Sequence, residues 1–133
     1  MAKKMDFKKI LGILICISAV VVFALILIFS ADKRGQKKLL DNYFTSVQRN
    51  SEKEFKKCIS ENSNLTFEKA QENIFNSPTP SGAVIKYKII SRSKKSNEIW
   101  LIDTEITAGT NEKNYKASQS FEVFKENGSW KIK

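Results

Sequence analysis

The apolar positions of this chain fall into three patterns, and each predicts a different kind of element. From Ile10 to Phe29 the run ILGILICISAVVVFALILIF holds twenty residues without a charge, fifteen of them Ile, Leu, Val or Phe. Beyond it the apolar residues recur at helical spacing. Leu39, Leu40, Tyr43, Phe44 and Val47 make one stripe, Phe55, Cys58 and Ile59 a second, and Phe67, Ala70, Ile74 and Phe75 a third. After NSPTPSG, which carries both prolines and Gly82, the period drops to two. Ile85, Tyr87 and Ile89 alternate with Lys86, Lys88 and Ile90, and Trp100, Ile102, Thr104 and Ile106 alternate with Leu101, Asp103 and Glu105.

Local signals place the ends of these elements. Ser51 followed by Glu54 is a capping-box pattern that opens the second helix, and Thr66 opens the third. Asn127-Gly128 predicts a tight turn, because a type I′ hairpin needs positive φ at both central residues. The final pair then faces Trp130 and Ile132 toward the core. The prediction is an α+β domain over residues 36–133, with about three helices on one face of a roughly four-stranded antiparallel sheet.

The twenty-residue run must be an anchor, a cleaved signal or a core helix. As a helix it spans about 30 Å, the thickness of a bilayer's hydrocarbon core. A domain of about 100 residues is too small to surround a helix that is apolar on every side. A cleavable signal fits poorly, since such apolar regions run to about 15 residues and bulky Phe29 spoils the small-residue pattern before Ala31. Cys16 follows Ile15, where a lipid-attachment site needs a small residue. The expectation is a retained transmembrane helix over residues 10–30, held in the bilayer through Ile10–Phe29. A basic cytoplasmic tail, residues 1–9, precedes it. A short linker, residues 31–35, follows it, broken at Asp32 and Gly35. Lysines flank both ends, so the charge count ties, and the short basic tail argues for a cytoplasmic N-terminus and an extracytoplasmic domain at a cell membrane.

Composition mostly excludes. The chain carries 23 Lys+Arg against 14 Asp+Glu, net +9, but only Arg34, Arg49 and Arg92 are arginines. Base-edge reading favours the bidentate arginine fork, so no specific nucleic acid is expected. There is no histidine, which removes the commonest general base and the usual nucleophile pairs. Cys58 is the one domain cysteine, on an apolar helix face, and reads as a buried hydrophobe. No metal site, no cofactor and no catalytic residues are expected. Asp103 and Glu105 share a strand face about 7 Å apart, but opposite the apolar face, as solvent-exposed carboxylates. Abundant Lys, Asn and Ile suggest an AT-rich bacterial genome.

Helices first, strands after, and an ending of Gly128, Ser129, Trp130, Lys131 and Ile132 together resemble the nuclear-transport-factor-two-like superfamily. The resemblance spans roughly Gln36 to Lys133 and implies a cone-shaped α+β domain. Members of that superfamily include enzymes with Asp or His in the cone, ligand carriers and structural partners, so it implies no single activity. Candidate residues for the interior, as pocket or as core, are Tyr43, Tyr87, Trp100, Tyr115 and Trp130.

Two readings stay open. A membrane-anchored interaction or scaffold module is similar to the single-pass assembly subunits of secretion and conjugation machines, with envelope proteins or a second copy as partners. A membrane-tethered small-ligand binder or cone-fold enzyme is the alternative. A cone filled by Phe44, Phe55, Phe75 and Trp100 favours the first, and a hollow one favours the second.

Overall fold

A computed structural model describes residues 6–133; residues 1–5 of the expected basic tail lie outside the described residues. Three helices precede four strands: α1 (Phe7–Gln48), α2 (Glu52–Cys58), α3 (Phe67–Phe75), β1 (Val84–Lys94), β2 (Trp100–Gly109), β3 (Asn114–Glu126) and β4 (Ser129–Ile132). The chain divides into two compact units that part after Gly35.

In the first unit, α1 is long and apolar enough to cross a membrane, and none of its most apolar stretch is buried. Its one hydroxyl within the apolar run, on Ser18, donates to the Leu14 carbonyl at 2.9 Å, so the run leaves no hydroxyl unpaired. The Lys33 ammonium lies over the Phe29 ring, 4.6 Å from its centroid, at the last residue of the run.

The expected linker carries no break in the helix. Residues 31–35 are helical, and the first helix of the domain is the continuation of the apolar one. A glycine inside a helix costs about 1 kcal/mol relative to alanine. Extending an existing helix avoids the much larger barrier of nucleating a new one, so a single Gly35 does not break it. The two units part between Gly35 and Gln36.

In the second unit the apolar stripe of α1 is buried as expected: Leu39, Leu40, Tyr43, Phe44 and Val47 all lie in the core. Asn50 then turns the chain in the left-handed region at φ 56°, a conformation asparagine tolerates better than most residues. Ser51 caps α2 by accepting the Glu54 N–H, and Thr66 caps α3 by accepting the Lys69 N–H. Asn76, again left-handed, ends α3. The proline-containing segment after it is tied back to α1, since Thr79 Oγ1 donates to the Val47 carbonyl at 2.8 Å. The Gln71 amide donates in turn to Thr79 at 3.0 Å and to Asn50 at 2.7 Å.

The sheet is an antiparallel meander in the order β1-β2-β3-β4. Its inner face carries Ile102, Ile106, Phe121, Val123 and Ile132, all nearly inaccessible, against the helices. The Asn127-Gly128 turn has φ values of 51° and 81°, the two positive angles expected of it. A bulge at Ile90 interrupts the β1–β2 register, so Arg92 rather than Ser91 pairs with inward-facing Ile102. β4 closes onto the end of α2. Ile132 pairs with Ile59, and the Ser60 N–H donates to the Ile132 carbonyl at 2.8 Å.

Candidate functional site

The five aromatic candidates do not converge on one cavity. Tyr43 sits at the centre of the second unit with no exposed surface. Phe44, Phe55 and Phe121 surround it at ring-centroid distances of 5.0, 5.7 and 5.1 Å. Two of these contacts are edge-on, the geometry in which aromatic rings attract beyond simple burial. Tyr87 lies toward the β1 side, stacked on Phe44 at 4.6 Å, and its hydroxyl donates to the Asp41 carboxylate. Tyr115 belongs to the α3 side, edge-on to Phe75 at 5.1 Å, with Lys113 over its ring.

Trp100 and Trp130 lie at the margin. Both are half-buried against the core, with Lys94 and Lys125 over their rings at 5.4 Å. Trp130, expected to face the core, therefore covers its rim while Ile132 fills it. The register explains this: Ile132 lies beside buried Val123, whereas Trp130 lies beside exposed Lys125, two pairs further out. Of the residues named as filling a closed cone, Phe44, Phe55 and Phe75 are 3, 2 and 3 % exposed, and Trp100 is the exception.

The interior holds polar groups that alternation alone would have shown. Gln119 follows inward Ala117 and precedes inward Phe121 by two, so its side chain enters the core, where Oε1 finds no hydrogen-bond partner. Gln36 stands seven residues before Tyr43 on the same helical stripe and is 1 % exposed, with both side-chain polar atoms unpaired. The Tyr43 hydroxyl is unpaired as well. Burial pushes its pKa well above the ordinary value, and the Gln119 amide beside it eases that shift without reaching hydrogen-bond geometry. Burial and then the Asp41 carboxylate push the Tyr87 hydroxyl up in the same way. Neither tyrosine is a ready acid or base near neutrality. Burial likewise raises the Cys58 thiol, which is 4 % exposed, and this keeps it protonated and unreactive.

Asp103 and Glu105 lie on the outer face, as alternation predicts. They line an open depression of about 420 Å³ with Ile90, Ser118 and Ser120. Asp103 accepts from Ser120 at 2.5 Å and from Ser91 at 2.7 Å, and these bonds hold its pKa below the ordinary carboxylate value. An exposed carboxylate already satisfied by two hydroxyls is a poor proton acceptor. A second depression, about 390 Å³, lies between α2 and α3 and is lined by Phe55, Ile59, Leu65 and Phe67 with Glu52, Lys56 and Glu61 at its rim. Among the described residues no cluster of His, Cys, Asp or Glu could hold a metal ion.

No protein-family model matches the chain, and no curated protein is similar to it in sequence. Solved structures are similar in fold. An NTF-2-like protein of unknown function from Shewanella oneidensis aligns over 76 % of this chain and 93 % of its own, with a TM-score of 0.59 and 13 % identity. A domain of unknown function with a cystatin-like fold, from Nostoc punctiforme, aligns over 77 % of this chain and 73 % of its own, with a TM-score of 0.58 and 14 % identity. The chain thus has the NTF-2-like α+β fold that its final strand resembles, and at such identities the likeness speaks of fold alone.

Proposed function

We propose that the protein is a single-pass, membrane-anchored interaction module of a bacterial envelope assembly. Its N-terminus is cytoplasmic and residues 36–133 are extracytoplasmic, in the manner of the small anchored subunits of secretion or conjugation machines. The observation that carries this reading is the filled interior: Tyr43, Phe44, Phe55 and Phe121 occupy the space between helices and sheet where a carrier or enzyme would hold its ligand. The missing histidine and the engaged Asp103 support a non-catalytic role. Lysine-rich basicity with few arginines suits anionic surfaces better than base recognition. The test is cross-linking of the tagged full-length protein in intact cells, followed by purification from solubilised membranes. A discrete cross-linked species with one envelope protein is expected, and recovery of uncross-linked monomer alone overturns the reading.

A second reading has one observation in its favour. Gln36, Tyr43 and Gln119 leave buried polar atoms unpaired, and a small polar ligand retained inside the domain would satisfy them. Native mass spectrometry of the purified protein decides it, since a bound small molecule adds a fixed mass.

A further inference from the structure

The large apolar side chains left exposed in residues 36–133 are two, Val84 at 50 % and Ile90 at 51 %, and both stand on β1. β1 is the edge strand of the meander, paired with β2 on one side only. The Ile85 N–H donates to Gln48 Oε1 at 2.7 Å, so the backbone groups of Ile85 point away from β2. Alternation turns those of Tyr87 and Ile89 the same way. Among the described residues no hydrogen bond reaches the N–H of Tyr87 or Ile89 from that side. The inward side chains show the same incompleteness. Ala108, Ile106 and Thr104 of β2 are 3, 2 and 2 % exposed, while their β1 neighbours Ile85, Tyr87 and Ile89 are only half-buried.

We propose that the free edge of β1 takes a short, extended acidic segment of a partner polypeptide as an added strand. The proposal rests on the interaction-module reading and names the surface through which the module acts. β1 carries Lys86, Lys88, Arg92 and Lys94 and no acidic residue. Lys86 and Lys88 project outward, Lys86 opposite Thr107 and Lys88 opposite Glu105 of β2, and among the described residues neither takes part in an ion pair. A second copy pairing edge to edge would set these lysines against one another, and like charges facing each other across strands are unfavourable. A segment alternating acidic with apolar residues meets both faces at once. Its carboxylates lie beside Lys86 and Lys88, and its apolar side chains cover the open flanks of Tyr87 and Ile89. The bulge at Ile90 ends the regular edge, so the added strand is short.

The test uses the full chain in detergent micelles, hydrogen exchange resolved to single amides, and synthetic peptides alternating glutamate or lysine with valine. The glutamate peptide is expected to slow the Tyr87 and Ile89 amides by about ten-fold or more, and the lysine peptide to leave them unchanged. The double variant Lys86→Glu, Lys88→Glu, both on exposed positions, reverses the preference. Unchanged exchange with the glutamate peptide, equal slowing by both peptides, or amides already slow in the free protein overturns the proposal. A cross-linked envelope partner whose complex leaves these two amides fast sinks the edge proposal and spares the module reading.

Discussion

Replacing the most deeply buried tyrosine should make this protein more stable. Tyr43 has no exposed surface, and its hydroxyl finds no hydrogen-bond partner. In the unfolded chain that hydroxyl is hydrated, so folding strips it of water and returns no hydrogen bond. Leaving a buried polar group unpaired costs about 1–3 kcal/mol. Tyr43→Phe removes this penalty and keeps the ring, with its contacts to Phe44, Phe55 and Phe121 at 5.0, 5.7 and 5.1 Å. The Gln119 oxygen is unpaired before and after, so it adds no new penalty. We expect a gain of about 1 kcal/mol, which raises the melting temperature of a domain this size by roughly 4–8 °C. Thermal and urea unfolding of wild type and variant in the same micelles, followed by the fluorescence of Trp100 and Trp130, measures it. A loss of about 0.5–1.5 kcal/mol, the ordinary worth of a hydrogen bond, would refute the reasoning. It would mean that the hydroxyl has a partner in solution, water or ligand, and would favour the binding reading.

Other expectations follow from the same contacts. Trp130→Ala should cost about 1–3 kcal/mol in urea unfolding, below the 3–5 kcal/mol of a fully buried aromatic, because the ring covers the rim of the core. Asp103 has a folded-state pKa below its unfolded value. Its contribution is therefore present above the ordinary carboxylate pKa of about 3.9 and is lost as pH falls through the lower, folded value. Asp103→Asn should flatten the acid side of the stability profile below about pH 4 and leave its shape near neutrality unchanged. Alkaline carbonate should leave the full-length protein in the membrane pellet, and protease added to protoplasts should digest residues 36–133. Release by carbonate would remove the anchor from the proposal, and protection from protease would reverse the orientation.

What could be read in the sequence was what short-range chemistry decides. Ser51 and Thr66 cap helices because their hydroxyls reach backbone N–H groups three residues on, and Asn127-Gly128 turns because of its φ preferences. The alternation of β2 placed Ile102 and Ile106 inside and Asp103 and Glu105 outside, since a strand has only two faces. Gly35 misled because its penalty is local while the helices on either side of it are long and cooperative. The bulge at Ile90 depends on two strands sharing a register, and no local motif announces it. Trp130 was placed by parity on the correct face, but only the pairing with Lys125 shows how far out along the sheet that face extends. Gln36 and Gln119 were visible on the apolar stripe and the inward face, yet a polar residue at such a position does not say whether a partner awaits it.

The closure of β4 on α2 bears on the order in which the protein is made. Ile132 is 2 % exposed and joins Ile59, and Phe121, against which Tyr43 packs, lies only eleven residues before it. The apolar stripe of α1 is synthesised early, but the strands that cover it come last. Synthesis and folding generally run from the N-terminus, whereas this core waits for its C-terminal strand. On the proposed topology, with the first helix in the bilayer and residues 36–133 beyond it, the rest of the chain would cross unfolded and the domain would complete itself on the far side. The first helix, synthesised before the strands, would then be the last to have its apolar stripe covered.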